Sequence, residues 1–314
     1  MTYAVAPLDL TPANLDGLSE RLIVSHYENN YGGAVRRLNA IAADLARLDL
    51  AAAPNFVLNG LKREELIAAN SMILHEVYFG SLGGRGEASG DLAAAIERDF
   101  GGVARWRTEF AAMGKALGGG SGWVILAWSP RDRRLVNQWA ADHTHVLAGS
   151  VPILALDMYE HAYHIDFGAK AAAYVDTFLR NIDWEAASRR FAIVLGKPVP
   201  SPDHDHAADL TPEALRDRIA TGTPPLILDV RRRKAFDAGV DMIQGATWRQ
   251  PEIVADWAAD VPRNVSVAVY CVYGHNVSHD TVAVLRNAGV DAQALRGGIA
   301  AWHAIGGPVA AKQG

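Results

Sequence analysis

Five side chains in this 314-residue chain have the types and spacing to do chemistry: His26, His75, Asp157 and His161, and its one cysteine, Cys271. Three imidazoles with one carboxylate suit a first-row transition metal better than calcium or magnesium, which prefer all-oxygen shells. Taken singly, a helical histidine reads as a partly exposed or hydrogen-bonded residue. The stretch Asp157-Met-Tyr-Glu-His161 is more informative. It follows the apolar run Pro152–Leu156, so the carboxylate stands at a strand end, and a turn there returns the imidazole to the same point. Cys271 ends the run Val265–Tyr270 and opens Cys-Val-Tyr-Gly-His-Asn-Val-Ser278, before a helix-compatible segment. A strand, a glycine-containing loop and a helix make a nest of backbone N–H groups, which lowers a thiol's pKa from about 8.5 and stabilises anionic sulfur. A small buried hydrophobe is the other reading of a free cysteine. His204 and His206 are only two histidines in a polar stretch, and read as a solvated linker.

The elements that must position these residues fall into two groups. Three prolines in Lys-Pro-Val-Pro-Ser-Pro-Asp-His-Asp-His-Ala-Ala, from Lys197 to Ala208, favour extended chain. Thr211 and Pro212 then read as N-cap and first residue of a new helix. The expected organisation is a domain over residues 1–196, a linker over 197–208 and a second domain over 209–314. In the first, Leu38, Ile41, Leu45 and Leu48 recur at helix spacing. Asn59-Gly60 reads as an interruption and Glu64–Tyr78 as a second helix, ending before the glycine-rich Gly80–Gly86. Helical segments follow around 91–99 and 104–117, then strand-length runs at Trp123–Trp128, Leu135–Trp139 and Val151–Leu156. A helix over Ala169–Asn181 closes the unit. Helices first and strands later is the α+β pattern. In the second domain, strand runs at Leu226–Val230 and Val265–Tyr270 alternate with helices at Ser278–Ala288 and Ile299–Ile305. That pattern predicts a small α/β fold with a parallel sheet.

Composition bounds the function. Half the residues are hydrophobic, 21% are charged and the net charge is −5. This is globular composition, and its acidic balance argues against nucleic-acid partners, which need a basic face. No apolar run is long enough to cross a membrane. One cysteine makes no internal disulfide, and the N-terminus lacks a basic, then apolar, leader. The expected location is the cytoplasm.

The residues carrying the first site resemble the iron/manganese superoxide dismutase family over about residues 1–195. The resemblance rests on Ser25-His26-Tyr27, His75, Gly120-Ser-Gly-Trp123, Asp157-Met-Tyr-Glu-His-Ala-Tyr163 and Asn181-Ile-Asp-Trp184. It implies a helical hairpin followed by an α/β half, with His26, His75, Asp157 and His161 holding one Fe or Mn ion per chain and solvent as a fifth ligand. It also implies that His143 or Gln138 touches that solvent, with the position of Asp142-His143 ahead of Val151-Pro152 favouring His143. Glu160 would reach across a homodimer, or dimer-based oligomer, to the partner's ligand His161. The implied reaction converts two superoxide ions and two protons to O2 and H2O2, a protection against oxidative stress. Several positions depart from the family. Ala34 stands where it carries a tyrosine, Ala171 where an arginine lines the substrate funnel (with Lys170 beside it), Asn30 and His164 where it pairs histidine and tyrosine, and Tyr159 where it carries tryptophan. Tyr31, one turn before Ala34, could supply a substitute phenol. With the funnel so altered, the alternative is a metal-binding scaffold with little dismutation that serves another oxyanion, or presents the second domain to a partner.

The second domain resembles a rhodanese from end to end, through Leu226-Ile-Leu-Asp-Val-Arg231, Gly245-Ala246, Val269-Tyr-Cys271, Leu295-Arg-Gly-Gly-Ile-Ala-Ala-Trp302 and Gly306-Gly-Pro308. The resemblance makes Cys271 the carrier of a persulfide in a sulfurtransferase, taking sulfur from a sulfane-sulfur donor. The loop from Cys271 to Ser278 is one residue longer than is typical and contains no arginine. His275 or His279 could offer a weaker cationic contact, and another small anion remains open as substrate.

Overall fold

The computed structural model describes residues 2–8, 10–84, 87–197, 209–274 and 276–312. The expected linker beyond Lys197, with His204 and His206, and the loop residue His275 lie outside the described residues. Two compact units emerge: Leu10–Pro200, and Thr2–Asp9 together with Ser201–Gly314. Residues 2–9 thus gather with the second unit, whereas the sequence reading assigns them to the first. The physical reason is local: Val5 and Leu8 are each only 1% exposed, and the Val5 N–H is directed at the carboxyl of Glu213.

The first unit opens with α1 (Glu20–Ser25), whose N-cap Ser19 accepts from the Leu22 N–H. The helix continues through a π-helical stretch, His26–Tyr31, into α2 (Gly32–Arg47). This wider turn buries His26, Tyr27 and Tyr31 together. Helix α3 (Asn55–Phe79) packs along α2 and runs straight through Asn59 and Gly60. The expected interruption is therefore absent. A Cβ at Gly60 would meet nothing within 4 Å, so glycine there costs only its intrinsic ~1 kcal/mol, which 25 residues of packed helix outweigh.

Helices α4 (Gly90–Phe100) and α5 (Val103–Ala116) precede an antiparallel sheet of β1 (Trp123–Ser129), β2 (Arg134–Ala140) and β3 (Val151–Asp157) in the order β2-β1-β3. All seven residues of β1 are buried, as the central strand of a sheet covered on both faces requires. The register sets Trp123 opposite Asp157. The short α6 (His164–Phe167) leads to α7 (Ala171–Arg180) and α8 (Trp184–Val194). The last was not foreseen. Asp183 caps it by accepting from the Ala186 N–H, and Trp184 and Phe191 anchor it in the core.

The second unit starts at α9 (Pro212–Ala220), with Thr211 as N-cap, its hydroxyl accepting from the Ala214 N–H. Then follow β4 (Leu226–Asp229), α10 (Arg233–Ala238), β5 (Asp241–Ile243), β6 (Thr247–Trp248), α11 (Val254–Trp257), β7 (Ser266–Tyr270), α12 (Asn276–Asn287), β8 (Asp291–Ala294), α13 (Gly298–Ala304) and β9 (Val309–Ala311). Strands β6-β4-β7-β8 form a parallel sheet, and β5 pairs with β9 antiparallel. The core holds Leu228, Val230, Val267, Val269 and Leu285. Cys271 follows directly on the C-terminal end of β7, where parallel sheets commonly place ligand sites.

Candidate metal centre and cysteine loop

Four elements deliver the four candidate ligands. The π turn carries His26, α3 carries His75, β3 ends at Asp157, and a 3-10 turn, Glu160–Ala162, carries His161. Each residue offers a ligand atom, and these atoms lie within 4.8 Å of one another. Three imidazole nitrogens converge on one carboxylate oxygen. Asp157 Oδ2 lies 3.2 Å from His26 Nε2, 3.2 Å from His161 Nε2 and 3.5 Å from His75 Nε2. His26, His75 and Asp157 are fully buried, while the His161 side chain keeps 27% of its surface exposed.

The hydrogen bonds around the set point lone pairs inward. His75 Nδ1 lies 2.6 Å from the Ser71 carbonyl, so it carries the proton and Nε2 is left as a lone pair. The Tyr159 N–H donates to Asp157 Oδ1 at 2.8 Å, which leaves Oδ2 facing the imidazoles. His26 Nε2 and His75 Nε2 are buried and have no hydrogen-bond partner among the described residues. Orphaned buried nitrogens are costly unless something else accepts their lone pairs. A divalent or trivalent cation does so, and the N3O donor set fits iron or manganese.

Electrostatics agree. Burial depresses the basicity of His26 and takes His75 down to about 3, which favours the neutral imidazole that metal ligation needs. Burial alone would raise the Asp157 carboxyl, but the facing His161 and His26 outweigh it and hold it well below the ordinary carboxylate range. A wall of Tyr78 and Phe79 stands 5.0 Å from the His26 ring, and Trp123 meets His75 edge-on at 5.2 Å.

The surrounding candidates separate. His143 sits by the set, with ring centroids 6.3 Å from His75 and 4.9 Å from Tyr159, in a near-parallel stack on the latter. Its Nδ1 accepts from Trp123 Nε1 at 3.0 Å, which makes Nε2 the protonated nitrogen. Gln138 faces elsewhere. Its amide donates to the His145 carbonyl and accepts from the Ser150 hydroxyl. Tyr31 is buried, its ring 6.3 Å from that of His75 and its hydroxyl donating to Glu76 at 3.0 Å. Glu160 is exposed beside His161. Tyr159, known to the sequence reading only as a departure, stacks on both His143 and His161, with interplanar angles of 11° and 12°. Ala34 and Ala171 are both buried, and a Cβ on Gly118 would lie 3.1 Å from that of Ala171, so close packing occupies the latter position.

In the second unit, Cys271 is 6% exposed and its Sγ lies 3.4 Å from the Ser278 hydroxyl. The loop is braced by the turn into α13. Ile299 and Ala300 N–H groups donate to the Cys271 and Val272 carbonyls. The approach demands glycine twice. A Cβ on Gly274 (φ +72°) would come within 2.5 Å of the Gly297 nitrogen, and one on Gly298 (φ +58°) within 2.5 Å of the Cys271 oxygen. Below the loop, Asp229 and Arg231 form a buried pair at 2.6 Å, and the Tyr270 hydroxyl donates to the same carboxylate. The Asp-Val-Arg motif is therefore a staple between β4 and β7. His279 stands next to Ser278 and lies 3.5 Å from Asp209.

Comparison with known proteins gives this geometry a lineage. The model of the C-terminal domain of iron/manganese superoxide dismutases matches residues 88–190, and that of the rhodanese-like domain residues 211–305. A superoxide dismutase [Fe] from Cupriavidus metallidurans is 71% identical over 192 residues, 61% of this chain and 98% of its own length. One from Aquifex aeolicus is 37% identical over 198 residues, covering 60% and 92%. A superoxide dismutase [Mn] from Halobacterium salinarum is 32% identical over 196 residues, covering 60% and 94%. Spanning almost the whole of such relatives, the chain belongs to the iron/manganese superoxide dismutase family and carries a rhodanese-like domain in the same polypeptide.

Proposed function

We propose that this chain is a superoxide dismutase holding one Fe or Mn ion between His26, His75, Asp157 and His161, joined to a sulfurtransferase that works through Cys271. The observation that carries the first half is the convergence of three imidazole nitrogens on Asp157 Oδ2, with two of them buried and unsatisfied. A bound ion of this kind supplies one-electron exchange, by which two superoxide ions and two protons become O2 and H2O2. The chain's own residues do the rest. Ser71 and the Tyr159 N–H aim the lone pairs, while Tyr78, Phe79 and Trp123 wall the set off from bulk water. His143, held by Trp123 with its Nε2 protonated, presents a hydrogen-bond donor next to the ligands and can hold a proton for the reduced substrate. Gln138, engaged with His145 and Ser150, is the weaker candidate for that role. Tyr31 supplies the phenol nearest His75 in place of the one lost at Ala34.

Iron is the first metal to test, since the 71%-identical relative is named for it. The proposed assembly is a homodimer in which the exposed Glu160 reaches the partner's His161. Among the described residues no helix is long and apolar enough to cross a membrane. The proposed location is the cytoplasm, whose reducing conditions keep a lone thiol usable.

At Cys271, the thiolate takes the outer sulfur of a sulfane donor such as thiosulfate and releases sulfite. The resulting persulfide then passes that sulfur to an acceptor, cyanide in the usual assay, and the thiolate returns as thiocyanate leaves.

Superoxide decay after pulse radiolysis, on protein of known metal content and on His161→Ala, tests the dismutase. Fast, metal-dependent decay that disappears in the variant is the expected result. Full metal occupancy without catalysed decay would overturn it. That outcome would favour a scaffold role, the reading to which the buried Ala34 and Ala171 lend support by removing a phenol and a cation from the approach.

A further inference from the structure

The Cys271 loop lacks the arginine that would ordinarily balance an anion there, and the bond network around it draws attention to a pair that no motif covers. Asp209 is the first described residue of the chain's return into the second unit. Its side chain is only 5% exposed, and its Oδ2 lies 3.5 Å from His279 Nε2. The His279 ring also hydrogen-bonds the backbone of Gly274, at the apex of the loop. His279 directly follows Ser278, whose hydroxyl is 3.4 Å from Cys271 Sγ. The next residue after Asp209 is fixed as well. The Leu210 N–H donates to the Ala294 carbonyl, and its own carbonyl accepts from the Arg296 N–H, just ahead of the Gly297–Gly298 turn that presses on Gly274. Asp209 is thereby held on the same frame as the loop it touches through His279.

We propose that Asp209 and His279 form a positioning pair for the Cys271 loop, in which the imidazole, held by the carboxylate, pins the loop apex at Gly274 and brings a cationic side chain to a loop without arginine. The inference rests on the reading of Cys271 as the working thiol. The imidazole's basicity supports it. The facing Asp209 carboxylate, 3.5 Å away, raises it above the ordinary value against the opposing effect of burial, with Asp280 on α12 adding in the same direction. The other element braced on the loop, the start of α13, contributes Gly298, Ile299 and Ala300, none of which titrates.

The test is the rate of Cys271 alkylation by iodoacetamide against pH, in the full-length chain and in Asp209→Asn, His279→Gln and Cys271→Ser. The expected wild-type profile has a step from imidazole titration beside the thiol's own ionisation. Asp209→Asn moves that step to lower pH, and His279→Gln removes it and slows alkylation near neutral pH by roughly three- to tenfold. Circular dichroism and thermal melting check that each variant is folded. Identical profiles in all three thiol-bearing proteins would overturn the pairing. Because the readout is alkylation, it stands apart from sulfur transfer: failure of thiosulfate:cyanide transfer in the wild type, with the step intact, would sink the sulfurtransferase reading and leave the pairing standing.

Discussion

His26, His75, Asp157 and His161 come from a π turn, a long helix, a strand end and a 3-10 turn, whereas Cys271, Gly274 and Ser278 lie along one loop and the first turn of α12. Both sites begin where a strand stops. In the first unit, four separate elements must agree before the ligand atoms meet, and the whole core acts as the jig. In the second, the backbone of a neighbouring turn does the aligning, through two carbonyls and two glycines. A site of the first kind is lost one ligand at a time, and one of the second kind is lost by adding a methyl group.

The sharpest way to break the comparison is a reciprocal pair of substitutions. Asp157→Asn takes the charge from the centre of three imidazoles and lowers dismutation by on the order of a hundredfold or more, together with metal content. Sulfur transfer stays at the wild-type rate. Cys271→Ser does the converse, bringing thiosulfate:cyanide transfer to background with superoxide decay unchanged. Loss of both activities in either variant would mean that the two sites depend on each other.

Next in size is Gly298→Ala. Its Cβ would meet the Cys271 and Val272 carbonyls at 2.5 and 2.6 Å from a backbone with φ +58°. The second unit should lose about 1–3 kcal/mol in urea unfolding, and sulfur transfer should fall with it. The first unit's transition should not move.

Acid and base sharpen the contrast further, because the units tilt in opposite directions. In metal-free protein, His75 is buried neutral with its pKa taken down to about 3, below the unfolded value of about 6.5. Between those limits the unfolded chain binds more protons, so the contribution is complete above about pH 6.5 and is lost as pH falls towards 3. His279 is raised instead, chiefly by Asp209. Its contribution is complete below the unfolded value and disappears as pH rises through the folded one. Unfolding midpoints of the two units, followed separately by hydrogen exchange at several pH values, should diverge in this sense. Parallel curves would refute the assignment.

The smallest expected effect belongs to the scaffold. Gly60→Ala, in an exposed helical position with free space around it, should stabilise the first unit by about 0.5–1 kcal/mol and leave both activities alone. A thermal melt is sufficient to see it.

The cluster of His26, His75, Asp157 and His161 was legible in the sequence because three histidines and an aspartate bring their own chemistry, and Asp157 to His161 brings its own geometry. Helix positions that follow apolar spacing were readable for the same reason. What escaped reading depended on the absence of neighbours or on distant ones. Gly60 looked like a stop because glycine is a poor helix former, and nothing local reveals that α3 is long enough to absorb it. The π turn at His26, which buries His26, Tyr27 and Tyr31 together, is marked by no residue type in it. Tyr159 drew notice only as a replaced tryptophan, since its stacking on His143 and His161 requires the β3 end and the 141–150 loop to be folded first. Between His143 and Gln138 the position of Asp142-His143 ahead of Val151-Pro152 favoured the histidine without excluding the amide. The bonds of Gln138 to His145 and Ser150 are a tertiary fact.

The assignment of residues 2–9 to the second unit has a consequence for how the molecule is made. Those residues leave the ribosome about 200 residues ahead of the α9 segment they join. At ordinary elongation rates of about 5–20 residues per second, the leading segment therefore waits for about ten seconds or longer with Val5 and Leu8 uncovered. The superoxide dismutase fold can close and take up its metal in that interval. The rhodanese-like unit, built from segments on both sides of that fold in the sequence, becomes native only after it.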